Sequence, residues 1–204
     1  MDLFDMPGEE RPASDTLRPL ADRLRPRLLA DVIGQRQILG PEAPLTVMLK
    51  ANALGSIILW GPPGVGKTTI ARLLAEETHL KFVQISAIFS GVPELRKVFQ
   101  AAQNRRDNGQ GTLLFVDEIH RFNKAQQDSF LPLMEDGTLV LVGATTENPS
   151  FELNAAVLLR AQVLVLERLS NDELELLAQR AEMEAGSVLP LDAGAHRALL
   201  EMAD

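Results

Sequence analysis

At 204 residues, with 46% apolar and 24% charged side chains, the chain is long enough for one full domain core plus the start of a second unit, and this balance excludes wholesale disorder. The absence of cysteine excludes a disulfide framework and a thiolate metal site, and three scattered histidines give no zinc pattern. The net charge of −8 is uneven, because residues 170–204 hold eight acidic and two basic residues and leave 1–169 at only −2, so the sum alone does not exclude an anionic partner.

Residues 1–16 mix acidic residues with Pro, Gly and Ser and predict a mobile tail. Its acidic start lacks the order of a signal peptide, and no later apolar stretch approaches the roughly 20 residues of a membrane span, so a cytoplasmic protein with no membrane partner is expected. Met1-Asp2-Leu3-Phe4 is either a short docking peptide or an incidental apolar pair. Two basic groups follow, Arg18, Arg23, Arg25 and Arg27, then Arg96, Lys97, Arg105 and Arg106. Each is either a solvated face or a nucleic-acid contact.

Short apolar runs of strand type lie at 56–60, 82–86, 112–116, 139–144 and 163–166. Segments of helical composition separate them, among them Lys67 to Thr78 with Ile70, Leu73 and Leu74 on one side. This alternation predicts an α/β fold, a parallel sheet covered by helices.

Directly after the first run, residues 61–68 read GPPGVGKT, which satisfies G-x-x-x-x-G-K-[ST] between a strand and a helix. Glycines there let backbone N–H groups turn inward around phosphate oxygens, and the helix that follows points its positive end at the same place. Gly61, Pro62, Pro63, Gly64, Val65 and Gly66 would form the cradle, with Lys67, Thr68 and Thr69 behind it. Lys67 would reach the β- and γ-phosphates of ATP and Thr68 would ligate Mg2+. Trp60, just before the loop, reads as a packing residue close enough to report on nucleotide.

The third run ends in Asp117-Glu118, two carboxylates at the C-terminal end of a strand, where ligands sit in open parallel sheets. Asp117 is expected to hold magnesium, and Glu118 to polarise the water that attacks the γ-phosphate. Arg121 and Lys124 follow as candidate phosphate contacts or solvated helix residues, and Phe122 and Phe130 read as core. Beyond Leu169 the composition shifts. Ser170 and Glu173 form a capping-box pattern ahead of a stripe of Leu174, Leu177, Ala178 and Ala181 that ends at Gly186. A second helix is expected from near Asp192, using Leu199, Leu200 and Met202.

With these motifs in place the chain resembles the AAA+ ATPases, in particular the clade of clamp loaders and branch-migration motors. The matching stretches are RPRLLADVIGQ at 25–35, GPPGVGKTT at 61–69, LLFVDEIHRFNKAQQDSFLPLMEDG at 113–137 and GATTENPSFELN at 143–154. The resemblance implies a P-loop NTPase core at 17–168, a three-layer αβα sandwich with a five-stranded parallel sheet. It also implies the start of a helical lid domain at 169–204, so the chain is expected to be an N-terminal fragment.

Val32, Ile33 and Gln35 look like the segment that packs against adenine. Thr146 looks like a polar sensor of the γ-phosphate, and Arg160 like an arginine that acts in trans on a neighbouring subunit's ATP, although its flanks, Leu159 and Ala161, depart from the family pattern. The family's second sensor arginine falls beyond residue 204. The resemblance further implies a homo-oligomer, ATP and Mg2+ as cofactors, DNA with single-stranded ends or gaps, and replication proteins such as a single-strand binding protein or sliding clamp as partners. The expected activity is DNA-dependent ATP hydrolysis in fork maintenance, recombination and repair, slow in a chain of this extent. A nucleotide-gated adaptor that recruits partners with little hydrolysis is the alternative. Asp117-Glu118-Ile119-His120 also mimics a DExH helicase box, but the second RecA-like domain such enzymes need is missing from the sequence.

Overall fold

The computed structural model describes residues 19–188 and, beyond them, 191, 192, 194, 195 and 198. The tail expected at 1–16 and the side chains of Leu199, Leu200 and Met202 lie outside the described residues. Five strands, β1 (Ser56–Trp60), β2 (Lys81–Ser86), β3 (Thr112–Asp117), β4 (Leu139–Thr145) and β5 (Ala161–Val165), form one sheet in the order β2-β3-β4-β1-β5, with every pairing parallel. The expected runs fall on these strands. The largest difference is at β5, which starts at Ala161, two residues early. It is an edge strand with only Leu164 buried, so Ala161 and Gln162 carry no apolar signal.

The central strands are apolar without interruption because both faces are covered. Alternate side chains then enter two separate cores. Ile57, Leu59, Leu113, Phe115, Val142 and Ala144 share one with Ile70, Ala71 and Leu74. Ile58, Leu114, Val116, Leu139 and Leu141 share the other with Leu95, Phe122 and Phe130. Phe115 and Phe130 are fully buried, each stabilising the fold by about 1.5–3 kcal/mol relative to exposure. Phe130 makes an edge contact with Phe99 at 5.4 Å and a tilted one with Phe122 at 5.9 Å, which places both Phe122 and Phe130 in the core as expected.

The helices in chain order are α1 (Leu20–Arg23), α2 (Arg36–Leu39), α3 (Pro44–Lys50), α4 (Lys67–Glu77), α5 (Val92–Asp107), α6 (Lys124–Asp128), α7 (Leu131–Glu135), α8 (Pro149–Glu152), α9 (Ala155–Leu158) and α10 (Asn171–Ala185). α4 buries Ile70, Leu73 and Leu74, the expected stripe. α6 starts at a full capping box, in which the Asn123 side chain accepts from the Gln126 amide and the Gln126 side chain accepts from the Asn123 amide.

The chain divides into two compact units. One is Pro26–Ser170, which contains the sheet. In the other, the described residues from Pro19 to Arg25 join those from Asn171 onward. Within that unit α1 packs on α10, and Arg23 Nε donates to Glu184 Oε1 at 3.1 Å. α10 buries Leu174 and Ala181 and stops before Gly186, whose φ of +69° is a left-handed helix end. Several of the clustered arginines are therefore engaged. Arg23 pairs with Glu184, Arg25 with Asp22 at 3.0 Å and Arg106 with Asp136 at 3.3 Å, whereas Arg96 and Lys97 are exposed.

Candidate nucleotide site

The loop at 61–66 leaves β1 through a close approach that only glycine permits. A Cβ at Gly61 would lie 2.4 Å from Leu166 O. This tightness comes from two bonds across the strand ends, Gly61 N to Thr145 O at 3.2 Å and Leu166 N to Trp60 O at 2.7 Å. Beyond it Gly64 and Gly66 have φ of +82° and +94°, and a Cβ at either would meet nothing within 4 Å, so the loop opens outward. Gly66 caps α4 without a side-chain hydrogen bond, so the first amides of an eleven-residue helix have no side-chain acceptor and point into this opening.

Lys67, the first residue of α4, is buried, and its Nζ donates to Gly61 O at 2.6 Å and Pro62 O at 2.7 Å. Burial pushes its ammonium below the ordinary lysine value, while the Glu118 and Asp117 carboxylates pull it back up. The same interactions bring Lys67, Glu118 and Asp117 into one electrostatic neighbourhood. By strand alternation Asp117 falls on the face where Leu113 and Phe115 pack beside α4, the helix that carries Thr68 in its first turn. Among the described residues there is no group of three or more His, Asp or Glu fit to hold a metal by itself. Hydroxyl and carboxylate oxygens of Thr68 and Asp117 suit a hard divalent cation that takes its remaining ligands from phosphate and water. Together, the open glycine turn, the uncapped helix start and the buried lysine fit a polyphosphate.

Glu118 has φ 53° and ψ 46°, a left-handed conformation that costs a non-glycine residue about 1–3 kcal/mol. This turn reverses the chain at once. Arg121 N returns to Glu118 O at 2.8 Å, and His120 comes back beside the carboxylate, its Nδ1 3.2 Å from Glu118 Oε2 and 2.9 Å from Thr145 Oγ1. Glu118 Oε2 is buried without a hydrogen bond. The turn is anchored by Ile119, fully buried against Gly143, where a Cβ would come within 2.9 Å of Ile119 Cδ1.

Other expected residues fall in different places. β4 ends at Thr145, which is buried, so Thr146 lies one residue beyond the strand in a half-buried bend. Val32 and Ile33 are half-buried, but the Gln35 amide is occupied, its Nε2 donating to Glu167 O at 2.7 Å and its Oε1 accepting from Glu167 N at 3.1 Å. Arg160 lies at the opposite end of the sheet from the glycine loop. Register pairs Ser56 with Ala161 and Trp60 with Val165, so six residues of strand, about 20 Å, separate its level from that of Gly61. There its Nε donates to Glu135 Oε1 at 2.6 Å and one guanidinium NH to Ala156 O at 3.0 Å. His120 and Thr145 were not expected. Their signals are an imidazole two residues after the acid and a doubled threonine at a strand end, both too common to stand alone.

Comparisons with known proteins agree with this geometry. The family model described as ATPase family associated with various cellular activities (AAA) matches residues 57–169. The chain is 50% identical over 169 residues to replication-associated recombination protein A of Escherichia coli (strain K12), covering 83% of this chain and 38% of that protein. It is 42% identical over 191 residues to ATPase WRNIP1 of Dictyostelium discoideum, covering 91% and 22%. Among solved structures it superposes on the Thermotoga maritima RuvB Holliday junction branch migration motor with a TM-score of 0.65 and 30% identity, over 80% of this chain and 55% of that one. The chain thus spans less than two fifths of the length of these curated relatives.

Proposed function

The chain belongs to the AAA family of ATPases, and from that premise we propose that it binds ATP at 61–69 and hydrolyses it in a DNA-dependent manner during replication fork maintenance, recombination and repair. One observation carries the reading of the site. A buried Lys67 stands at the mouth of an uncapped helix, with Asp117 and Glu118 close enough to perturb it.

In this reading the amides of 64–68 and the Lys67 ammonium hold the β- and γ-phosphates, exchanging the carbonyls of Gly61 and Pro62 for phosphate oxygen. Magnesium, held by Thr68 and Asp117, would neutralise phosphate charge when bound. Glu118 accepts a proton from, and orients, the attacking water. Thr146 contributes a hydroxyl near the γ-phosphate, and Val32, Ile33 and Gln35 form the adenine side. Gln35 does so by fixing the backbone, because its amide is already bonded to Glu167.

Arg160 cannot serve its own site from the far end of β5, which supports action in trans in a homo-oligomer once it leaves Glu135. The likeness to a replication-associated recombination protein and to a Holliday junction branch migration motor supports DNA as a partner, and we extend this to DNA with single-stranded ends or gaps and to replication proteins. The test is ATP turnover by the 204-residue chain with and without duplex DNA bearing a single-stranded end, using Glu118→Gln as control. DNA-stimulated turnover that vanishes in Glu118→Gln is the expected result; turnover that persists in it would overturn the assignment of Glu118.

A further inference from the structure

We propose that His120 is a positioning residue, whose Nδ1 ties the Glu118 carboxylate to the turn that follows β4 and so sets which way that carboxylate faces. The inference rests on the reading of Glu118 as the water-orienting group.

Proton count limits what the imidazole can do. His120 Nδ1 lies within reach of two oxygens, Thr145 Oγ1 at 2.9 Å and Glu118 Oε2 at 3.2 Å, and carries at most one hydrogen. An ionised carboxylate only accepts, whereas a hydroxyl does both. The Thr145 hydroxyl is in turn shared with Glu147, accepting from Glu147 N at 3.0 Å and lying 3.2 Å from Glu147 O.

Three arrangements satisfy this set. In the first, the Thr145 hydroxyl donates to Glu147 O, and Nδ1–H is free to turn to Glu118 Oε2. In the second, the hydroxyl donates to a bare Nδ1, which then has no hydrogen to give the carboxylate, and in the third Nδ1–H donates to Thr145 Oγ1 and is turned away from Glu118. A small shift of the Thr145–Glu147 turn chooses between them. The structure shows the Thr145-bonded side of this choice. Nδ1 has hydrogen-bond geometry only toward Thr145, and Glu118 Oε2 is left buried without a bond.

An unmade bond to a buried carboxylate oxygen has a use, since leaving such a group unsatisfied is destabilising. Formation of Nδ1–H···Oε2 removes that cost and fixes the carboxylate, leaving the other oxygen to orient the water. The surroundings restrict His120 to this role. Its side chain is 6% exposed, and Ile119 locks its backbone against Gly143. Thr146, assigned near the γ-phosphate, is the middle residue of the 145–147 turn, so a change there reaches Glu118 through one imidazole.

The experiment measures ATP turnover and ATP affinity for His120→Ala, His120→Asn and Thr145→Val, with thermal melting as a check on folding. The asparagine amide nitrogen occupies the place of Nδ1. Expected results are a 10- to 100-fold fall in kcat for His120→Ala with ATP affinity changed less than about twofold, and recovery of most of the rate in His120→Asn.

Unchanged kcat in His120→Ala, or an asparagine variant as slow as the alanine one, overturns the proposal while leaving Glu118 in place if Glu118→Gln is inactive. An active Glu118→Gln instead removes the reading beneath it. Nitrogen NMR of the imidazole supplies a readout independent of turnover. Hydrogen on Nδ1, with a resonance that moves on Glu118→Gln, is expected; hydrogen confined to Nε2 and insensitive to that change would also overturn the proposal.

Discussion

Gly61→Ala tests the close approach on which the loop is built. The new methyl would sit 2.4 Å from Leu166 O and 3.1 Å from Leu166 C, both backbone atoms that no rotamer change can move aside. Relief requires the end of β1 to part from the segment after β5, which strains or breaks Leu166 N to Trp60 O at 2.7 Å. Overpacking of one methyl costs about 1–3 kcal/mol and loss of a buried hydrogen bond about 1–3 more. The expected loss is therefore about 2–6 kcal/mol, against a total near 5–15. Urea unfolding followed by the single tryptophan, Trp60, reads the change directly, because the probe is the residue before the substitution. With a slope of about 1–3 kcal/mol per molar, the midpoint should fall by about 1 M or more. Nucleotide affinity should fall with it, since Gly61 O also holds Lys67 Nζ. A variant with the wild-type midpoint would show that β1 and the 166 backbone do not meet as described.

Lys67 carries a pH dependence of definite sign. Its ammonium value is lowered in the folded chain, chiefly by burial. The cost of keeping it charged is thus fully present below the lowered value, and stability rises with pH between that value and the ordinary lysine one, where the unfolded chain binds more protons. Lys67→Met should lack this alkaline rise in a urea series, and equal slopes would refute the burial argument. Gly143→Ala places a Cβ 2.8 Å from Ile58 Cδ1 and 2.9 Å from Ile119 Cδ1. Because these are side-chain ends, a loss of only about 1–3 kcal/mol is expected, with a larger fall in turnover than in ATP affinity as the 119–121 turn shifts. Gln127 is 1% exposed and bonds three backbone groups, at Phe122, Glu152 and Asn154. Gln127→Ala should cost about 2–5 kcal/mol, and a melting point within a degree of wild type would contradict that.

Legibility in the sequence followed the range of the contacts. The P-loop was readable because glycine, lysine and threonine act within eight residues, and β1, β3 and β4 because strands buried on both faces are apolar throughout. α6 to α9 were not separated, since each spans only four or five residues, barely one turn, too few for periodicity to register. The link from Glu118 through His120 to Thr145 was invisible because it joins positions 25 residues apart and depends on a missing Cβ at Gly143. The Arg160 guanidinium was located by register alone, as nothing in its flanks says which end of the sheet it occupies.

The clip between Gln35 and Glu167 ties positions 132 apart in sequence. Bonds of such separation require that a long loop be closed before they form, and they come late in folding. During synthesis from the N-terminus the Val32–Gln35 segment has emerged long before residue 167 exists to receive it. The Val32–Gln35 segment, proposed above as the adenine side, should therefore be the last part of the first unit to close, and nucleotide that packs against it would favour chains that have completed the whole sheet.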